Sequence, residues 1–231
     1  MMAPTATHLL GEQVRLIGAQ ARCTVFDVGC HQGTVARRYL ELFPNATVYG
    51  FEPDERNLEI AAGSLGAFSD RLCLVGAAVS DTDGKATLHL NSHVSTHSLF
   101  DIGEQKYWAG YAEKVCDIVV PTTTLDSFAG NNGIDVVDIL KMDIQGAELM
   151  ALRGAAGLLS EKKIRLIALE VEFQYLYKDQ PLFWEIGRYL QDFGYGFYGL
   201  YEPAYHQRNP NVLSWADALF LSPEFLQVGS W

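Results

Sequence analysis

An acid, two glycines and a histidine fall close together in Asp27-Val28-Gly29-Cys30-His31-Gln32-Gly33. The stretch follows a short apolar, partly β-branched run and reads as the end of a buried strand from Thr24 to Val28. It leads into Thr34-Val35-Ala36-Arg37-Arg38-Tyr39-Leu40, which reads as a helix running to about Phe43. Strand, glycine turn and helix together offer free backbone N–H groups and a positive helix end to an anionic ligand. The spacing departs from G-x-G-x-x-G, the nicotinamide fingerprint, because Cys30 and His31 fill the middle.

In an open α/β sheet a ligand lies outside the carboxyl ends of the strands, so the other strand ends matter next. A second strand, Thr47 to Glu52, ends on an acid about 20 residues beyond Gly33, the offset at which a carboxylate reaches two ribose hydroxyls. An acid two places before Gly29 suits the form of this turn that holds an adenosyl-methionine group; alone, it equally suits a plain strand-to-helix turn. A strongly apolar strand from Val136 to Met142 ends at Asp143. Three roles compete for that carboxylate: orienting a cofactor amine, serving as general base, or ligating a metal. An aspartate of ordinary pKa is a weak base for an alcohol, which favours positioning; capping the following helix is the structural alternative. Glu170 and Glu172 share one face of the next strand and, with Asp143, make Mg²⁺ an option that is not favoured. His31, His93, His97 and His206 fall in loops, and His31 and His97 join Asp143 as candidate proton acceptors. Tyr201 and Tyr205 are candidates to line an acceptor.

The elements that must hold these residues alternate. Thr7 to about Gln20 reads as an amphipathic helix, Glu55 to Leu65 as a helix, and Arg71 to Val79 as a third strand. Lys85–Leu90 and Cys116–Thr123 read as a hairpin excursion after it, with Asn91 to Lys114 between them as a candidate lid. Ala147 to Leu159 reads as one helix, Ile164 to Val171 as a buried strand and Leu182 to Phe193 as a helix. Gly196–Tyr201 and Ala216–Leu221 read as a terminal hairpin. This order predicts an α/β fold with a mostly parallel seven-stranded sheet and helices on both faces. The whole of residues 1–231 is expected to form one domain: an N-terminal helix in 1–22, the excursion in 84–124 and an acceptor-side helix and hairpin in 172–231.

With 231 residues, nearly half of them hydrophobic, a sizeable core is available. A formal charge of −11 without a Lys/Arg run argues against a nucleic-acid partner. No apolar run reaches the length of a membrane span, and no secretory signal is visible. Cys23, Cys30, Cys73 and Cys116 lack C-x-x-C spacing and read as reduced, partly buried thiols, which points to the cytoplasm. Homo-oligomer formation is left open.

Taken in order, the glycine stretch, Phe51-Glu52-Pro53, Ala77-Ala78-Val79-Ser80-Asp81, Thr124-Leu125-Asp126-Ser127-Phe128, Leu140-Lys141-Met142-Asp143-Ile144-Gln145-Gly146-Ala147-Glu148 and Leu169-Glu170-Val171 resemble the FkbM family of S-adenosylmethionine-dependent methyltransferases. The resemblance covers about Thr24 to Val171. It implies a Rossmann-like class I fold and S-adenosyl-L-methionine as cofactor. It implies cofactor contacts from Asp27, from Gly29, His31 and Gly33 in the loop, from Glu52 with Pro53, from Ala78, and from Asp143 or its neighbours. It further implies O-methylation of a hydroxyl on a small sugar or secondary metabolite. His31 stands where many members carry Asn, and Gln145 where many carry Glu, which removes one potential metal ligand. A non-catalytic S-adenosylmethionine-binding module and an N-methyltransferase of a small amine are the alternatives. A nicotinamide oxidoreductase is disfavoured by the glycine spacing and the lack of a Tyr-x-x-x-Lys pair.

Overall fold

The computed structural model describes residues 8–102, 112–206 and 209–228. Among the described residues the strands are β1 (Thr24–Val28), β2 (Thr47–Phe51), β3 (Leu72–Val75), β4 (Ala78–Val79), β5 (Gly84–Asn91), β6 (Lys114–Thr123), β7 (Val137–Met142), β8 (Ile164–Glu172), β9 (Gly196–His206) and β10 (Asn209–Leu221). The helices are α1 (Leu9–Ile17), α2 (Thr34–Leu42), α3 (Glu55–Leu65), α4 (Leu125–Asn131), α5 (Glu148–Arg153), α6 (Ala156–Ser160), α7 (Phe183–Asp192) and α8 (Pro223–Val228). The main sheet runs β3-β2-β1-β7-β8-β10-β9, parallel except for β10, which is antiparallel to both of its neighbours. The expected sheet and terminal hairpin are therefore present, and the hairpin strands run longer than their apolar stretches suggested.

Alternation along the strands builds two cores. Phe26, Leu140, Ile167 and Phe220 face one side and pack with α4, α5, α6 and α7. Val25, Ile139, Leu166 and Leu219 face the other and pack with α1 and α2. Phe26 sits at the middle of an edge-to-face group with Tyr49, Phe51 and Phe128, which ties β1 and β2 to α4.

Two elements break where the sequence reads as continuous. The run Arg71–Val79 divides: β3 joins the main sheet, whereas β4 joins β5 and β6 in a separate three-stranded sheet. A tight turn does this, with the Ala77 N–H donating to the Val75 carbonyl (3.0 Å) and the Ser80 N–H crossing to the Thr123 carbonyl (3.0 Å). The run Ala147–Leu159 divides into α5 and α6 at Gly154, where an added Cβ would stand 2.0 Å from the Ser80 carbonyl oxygen. The free N–H groups at the start of α6 are capped from a distance: Gly157 and Leu158 donate to the two oxygens of Asp126 (2.7 and 2.9 Å). The described part of the candidate lid includes a short 3-10 turn at Val94–Thr96; residues 103–111 of it, and the start of the expected N-terminal helix at Thr7, lie outside the described residues. Cys23 and Cys30 are buried, whereas Cys73, on the edge strand β3, and Cys116, on β6, are exposed. Among the described residues no helix is long and apolar enough to cross a membrane.

Candidate functional site

Sheet order reverses at β1, between β2 and β7, and the strand tips there touch backbone to backbone. Gly29 has φ +78°, and a Cβ on it would lie 2.0 Å from the Asp143 carbonyl oxygen. The Gly29 and Cys30 N–H groups both donate to the Phe51 carbonyl (3.0 Å each), while the Asp143 N–H donates to that of Val28 (3.1 Å). Gly33, at φ +84°, starts α2 without a side-chain cap. His31 also has positive φ, +49°, and in that conformation its N–H donates to Glu52 Oε2 (3.0 Å). The Asp54 N–H donates to the other oxygen, Oε1 (2.9 Å). Glu52 is thus fixed by the backbone on both oxygens; burial raises its pKa, and the two N–H bonds pull the other way.

These tips floor a cavity. Of the residues expected there, Gly29, His31, Glu52, Pro53, Ala78, His97 and Asp143 line it. Gly33 lies outside the lining and acts through the turn. Apolar side chains of Ala77, Val79, Leu88 and Leu99 also line it. His31 presents a buried Nε2 with no hydrogen-bond partner to this space, and burial holds its pKa below the ordinary histidine range. His97 is differently placed. Its Nδ1 accepts the Asn91 N–H (3.0 Å) and its Nε2 faces Asp54 Oδ2 at 3.7 Å, so the ring lone pair is already used. A proton-accepting role for His97 would require the ring to give up its bond to Asn91. His206 is buried at the far hairpin end, Tyr201 packs toward α1, and Tyr205 is exposed; none of these three lines this cavity.

Asp27 is absent from the cavity wall. It is fully buried, with Oδ1 3.1 Å from Lys141 Nζ, a charge contact in which neither carboxylate oxygen accepts a well-aligned hydrogen bond. Lys141 also donates to the Gly29 carbonyl (3.2 Å) and itself lines the cavity. Burial works against its charge, yet Asp27 and Asp143 outweigh this and raise its pKa. Sequence reasoning passed over Lys141, although one cation inside the apolar run Ile139-Leu140-Lys141-Met142 was a signal.

Beyond Asp143 a second recess opens, sharing Asp143, Gln145 and Ser95 with the first cavity. Gln145 (φ +57°) bridges the carboxylates: its Nε2 donates to Asp143 Oδ1 and Glu170 Oε2 (2.9 Å each). Its Oε1 lies 2.9 Å from the buried Tyr177 hydroxyl, and its carbonyl accepts from Ser98 Oγ (2.7 Å). An amide thus stands between carboxylates that a Mg²⁺ site would need to converge, and among the described residues no group of His, Cys, Asp or Glu is arranged to hold a metal.

Burial and mutual repulsion push this acidic group upward: Glu148 to about 7, Asp217 to about 6, and Glu170 and Glu172 well above the usual carboxylate range. Each binds its proton more tightly folded than unfolded, so stability is present at low pH and lost as pH rises through the folded pKa values. His31 and His97 oppose this only below about pH 6.5, the unfolded histidine value. The thermal midpoint should therefore rise by at least about 2 °C from about pH 8 to about pH 6.5. Scanning calorimetry checks this; Glu172→Gln should shrink the rise, and a midpoint that falls over this range would show the cluster to be ionised and solvated.

The family model described as the methyltransferase FkbM domain matches residues 27–197, reaching beyond Val171, where the motif resemblance fades. The 2-O-methyltransferase NoeI of Sinorhizobium fredii is 29% identical over 184 residues, covering 77% of this chain and 74% of that protein. Among solved structures, the METTL16 MTase domain superposes with a TM-score of 0.55 at 14% identity, over 96% of this chain and 70% of that one. M. capricolum TrmK, in complex with S-adenosyl-homocysteine, gives 0.51 at 10% identity, over 95% and 70%. At such identities the two structures speak for the fold alone.

Proposed function

The chain belongs to the FkbM methyltransferase family and is an S-adenosylmethionine-dependent methyltransferase, and from that premise we propose that it methylates a hydroxyl oxygen of a small hydroxylated molecule, with Asp143 where donor and acceptor meet. The observation that carries this reading is the place of Asp143, which lines both the cavity that holds Glu52 and the adjoining recess that holds Glu170 and Glu172.

The residues present fit the cofactor. Each Glu52 oxygen takes one backbone N–H and keeps acceptor capacity for a neighbouring ribose hydroxyl. The apolar wall from Ala77 to Val79, with Leu88, suits a purine, and the orphaned His31 Nε2 supplies a further polar partner. Lys141 would face the cofactor's carboxylate end. When bound, the cofactor supplies an electrophilic methyl carbon on a positively charged sulfur. Asp143 accepts the hydrogen bond of the acceptor hydroxyl, turns an oxygen lone pair toward the donor, and stabilises the proton the oxygen gives up. Most of the rate enhancement then comes from orientation and exclusion of water. The name of the 29%-identical relative supports oxygen as the target, and the net charge of −11 supports a small acceptor over a nucleic acid.

The test is calorimetric titration with S-adenosylhomocysteine, with NADH as control. The wild type should bind the former and not the latter, and Glu52→Ala should weaken binding by about 1–3 kcal/mol. An unchanged affinity in a folded Glu52→Ala variant removes Glu52 from the site. Mass spectrometry of products from hydroxylated and amine acceptors checks the oxygen; methyl on nitrogen alone would overturn it.

A further inference from the structure

Tyr177 is 1% exposed and lines neither the cavity nor the recess, so any part it has in the chemistry must pass through a neighbour. Its hydroxyl lies 2.9 Å from Gln145 Oε1 and 3.0 Å from the Thr96 carbonyl oxygen. The backbone that carries it is held on two sides. The N–H groups of Leu176 (2.6 Å) and Tyr177 donate to Gln180 Oε1, and the Lys178 N–H donates to the Asp101 carbonyl (2.9 Å). The ring packs on the turn after Asp143, where a Cβ on Gly146 would stand 3.2 Å from it. Gln145 itself has φ +57°, and its carbonyl accepts from Ser98 Oγ (2.7 Å). An ionised carboxylate only accepts hydrogen bonds, so toward Asp143 Oδ1 the Gln145 amide must present Nε2. That leaves Oε1 turned away and in need of a donor, which the Tyr177 O–H supplies. Without it the amide could turn and set an acceptor against the oxygen it now holds.

We propose that Tyr177 is a positioning residue for methyl transfer: its hydroxyl fixes the Gln145 amide, and the amide fixes the Asp143 carboxylate at the border of the two spaces. The inference rests on the reading of Asp143 as the group at which donor and acceptor meet. The same hydroxyl contacts Thr96, and the neighbours of Thr96, Ser95 and His97, line the donor cavity, so the wall of that cavity and Asp143 are tied to one oxygen atom.

The test compares two cofactor analogues by calorimetry and needs no acceptor. Sinefungin carries a charged amine where the cofactor has its methyl sulfonium, whereas S-adenosylhomocysteine has a neutral sulfur there. The ratio of their affinities therefore reads the negative charge held beside the donor. Asp143→Asn should lower the preference for sinefungin by about tenfold or more, the scale of a hydrogen bond to a charged group. Tyr177→Phe keeps the ring against Gly146; it should lower that preference by at least about threefold, with S-adenosylhomocysteine affinity within about twofold of wild type. Gln145→Met should do the same, and Tyr177→Phe in that background should add nothing, because the hydroxyl acts through the amide. Three results overturn the proposal: an equal loss of both analogues in Tyr177→Phe, which marks a structural role only; an unchanged ratio; or losses that add in the double variant. Where Tyr177→Phe does not fold, Gln145→Met decides by the same ratio. A wild-type ratio in Asp143→Asn would instead overturn the reading of Asp143 itself, a separate outcome.

Discussion

Gly29→Ala is expected to abolish measurable S-adenosylhomocysteine binding and to destabilise the protein by about 3–5 kcal/mol. Two effects add. At φ +78° any L side chain is strained, worth about 1–2 kcal/mol. The new methyl would also lie 2.0 Å from the Asp143 carbonyl oxygen, and that peptide cannot retreat freely because its N–H, that of Ile144, donates to Glu148 Oε1 (2.9 Å). Parting the β1 and β7 tips displaces His31, whose N–H holds Glu52, and moves Asp143 as well. Two other glycines serve as controls. Gly33 has φ +84°, but its added methyl meets the Leu65 side-chain tip at 2.6 Å, which can rotate away, so Gly33→Ala should be milder, by about 1–2 kcal/mol. Gly63 lies within α3 with nothing near its Cβ position, and Gly63→Ala should be neutral or stabilising by up to about 1 kcal/mol. Urea unfolding and calorimetry order the three; a Gly29→Ala protein of wild-type stability and affinity would mean that the strand tips do not touch.

Lys141→Met should be nearly as damaging, at about 3–5 kcal/mol, because it leaves the Asp27 carboxylate buried without a counter-charge. The loss belongs to the orphaned partner more than to the lysine. Hence Asp27→Asn in the Lys141→Met background should restore much of the stability, and a double-mutant cycle should give a large coupling energy. Cofactor-product affinity should fall in Lys141→Met and stay low in the double variant, since Lys141 alone of the pair lines the cavity. A coupling near zero would show that Asp27 does not depend on Lys141.

The positions of Glu52 and Asp143 were legible because each depends on a local rule: an apolar run ends, and the next polar residue stands at a strand tip outside the sheet. Gly29 and Gly33 were legible for the same reason, since a strand-to-helix turn this tight needs positive φ. Asp27 belongs to the same motif, but the sequence could not show that it is buried against Lys141, which itself lines the cavity. His97 was read by residue type; that its Nδ1 accepts the N–H of Asn91, on a strand of the smaller sheet, was not legible. The division of 71–79 and of 147–159 escaped because Gly154 is punctuated by the Ser80 carbonyl, a partner the local sequence cannot supply.

The chain by itself determined the alternation of strands and helices, the glycine loop, the acid that follows it and the family to which the motifs belong. These follow from periodicity and turn chemistry within short windows. Only the tertiary structure decided which polar atoms face which space. β1 meets β7, bringing Lys141 onto Asp27; the Gln145 amide comes between Asp143 and Glu170; and the Tyr177 hydroxyl meets the far side of that amide. Those pairings join residues far apart in sequence, and a side chain's hydrogen bonds and desolvation depend on the neighbours that folding brings to it.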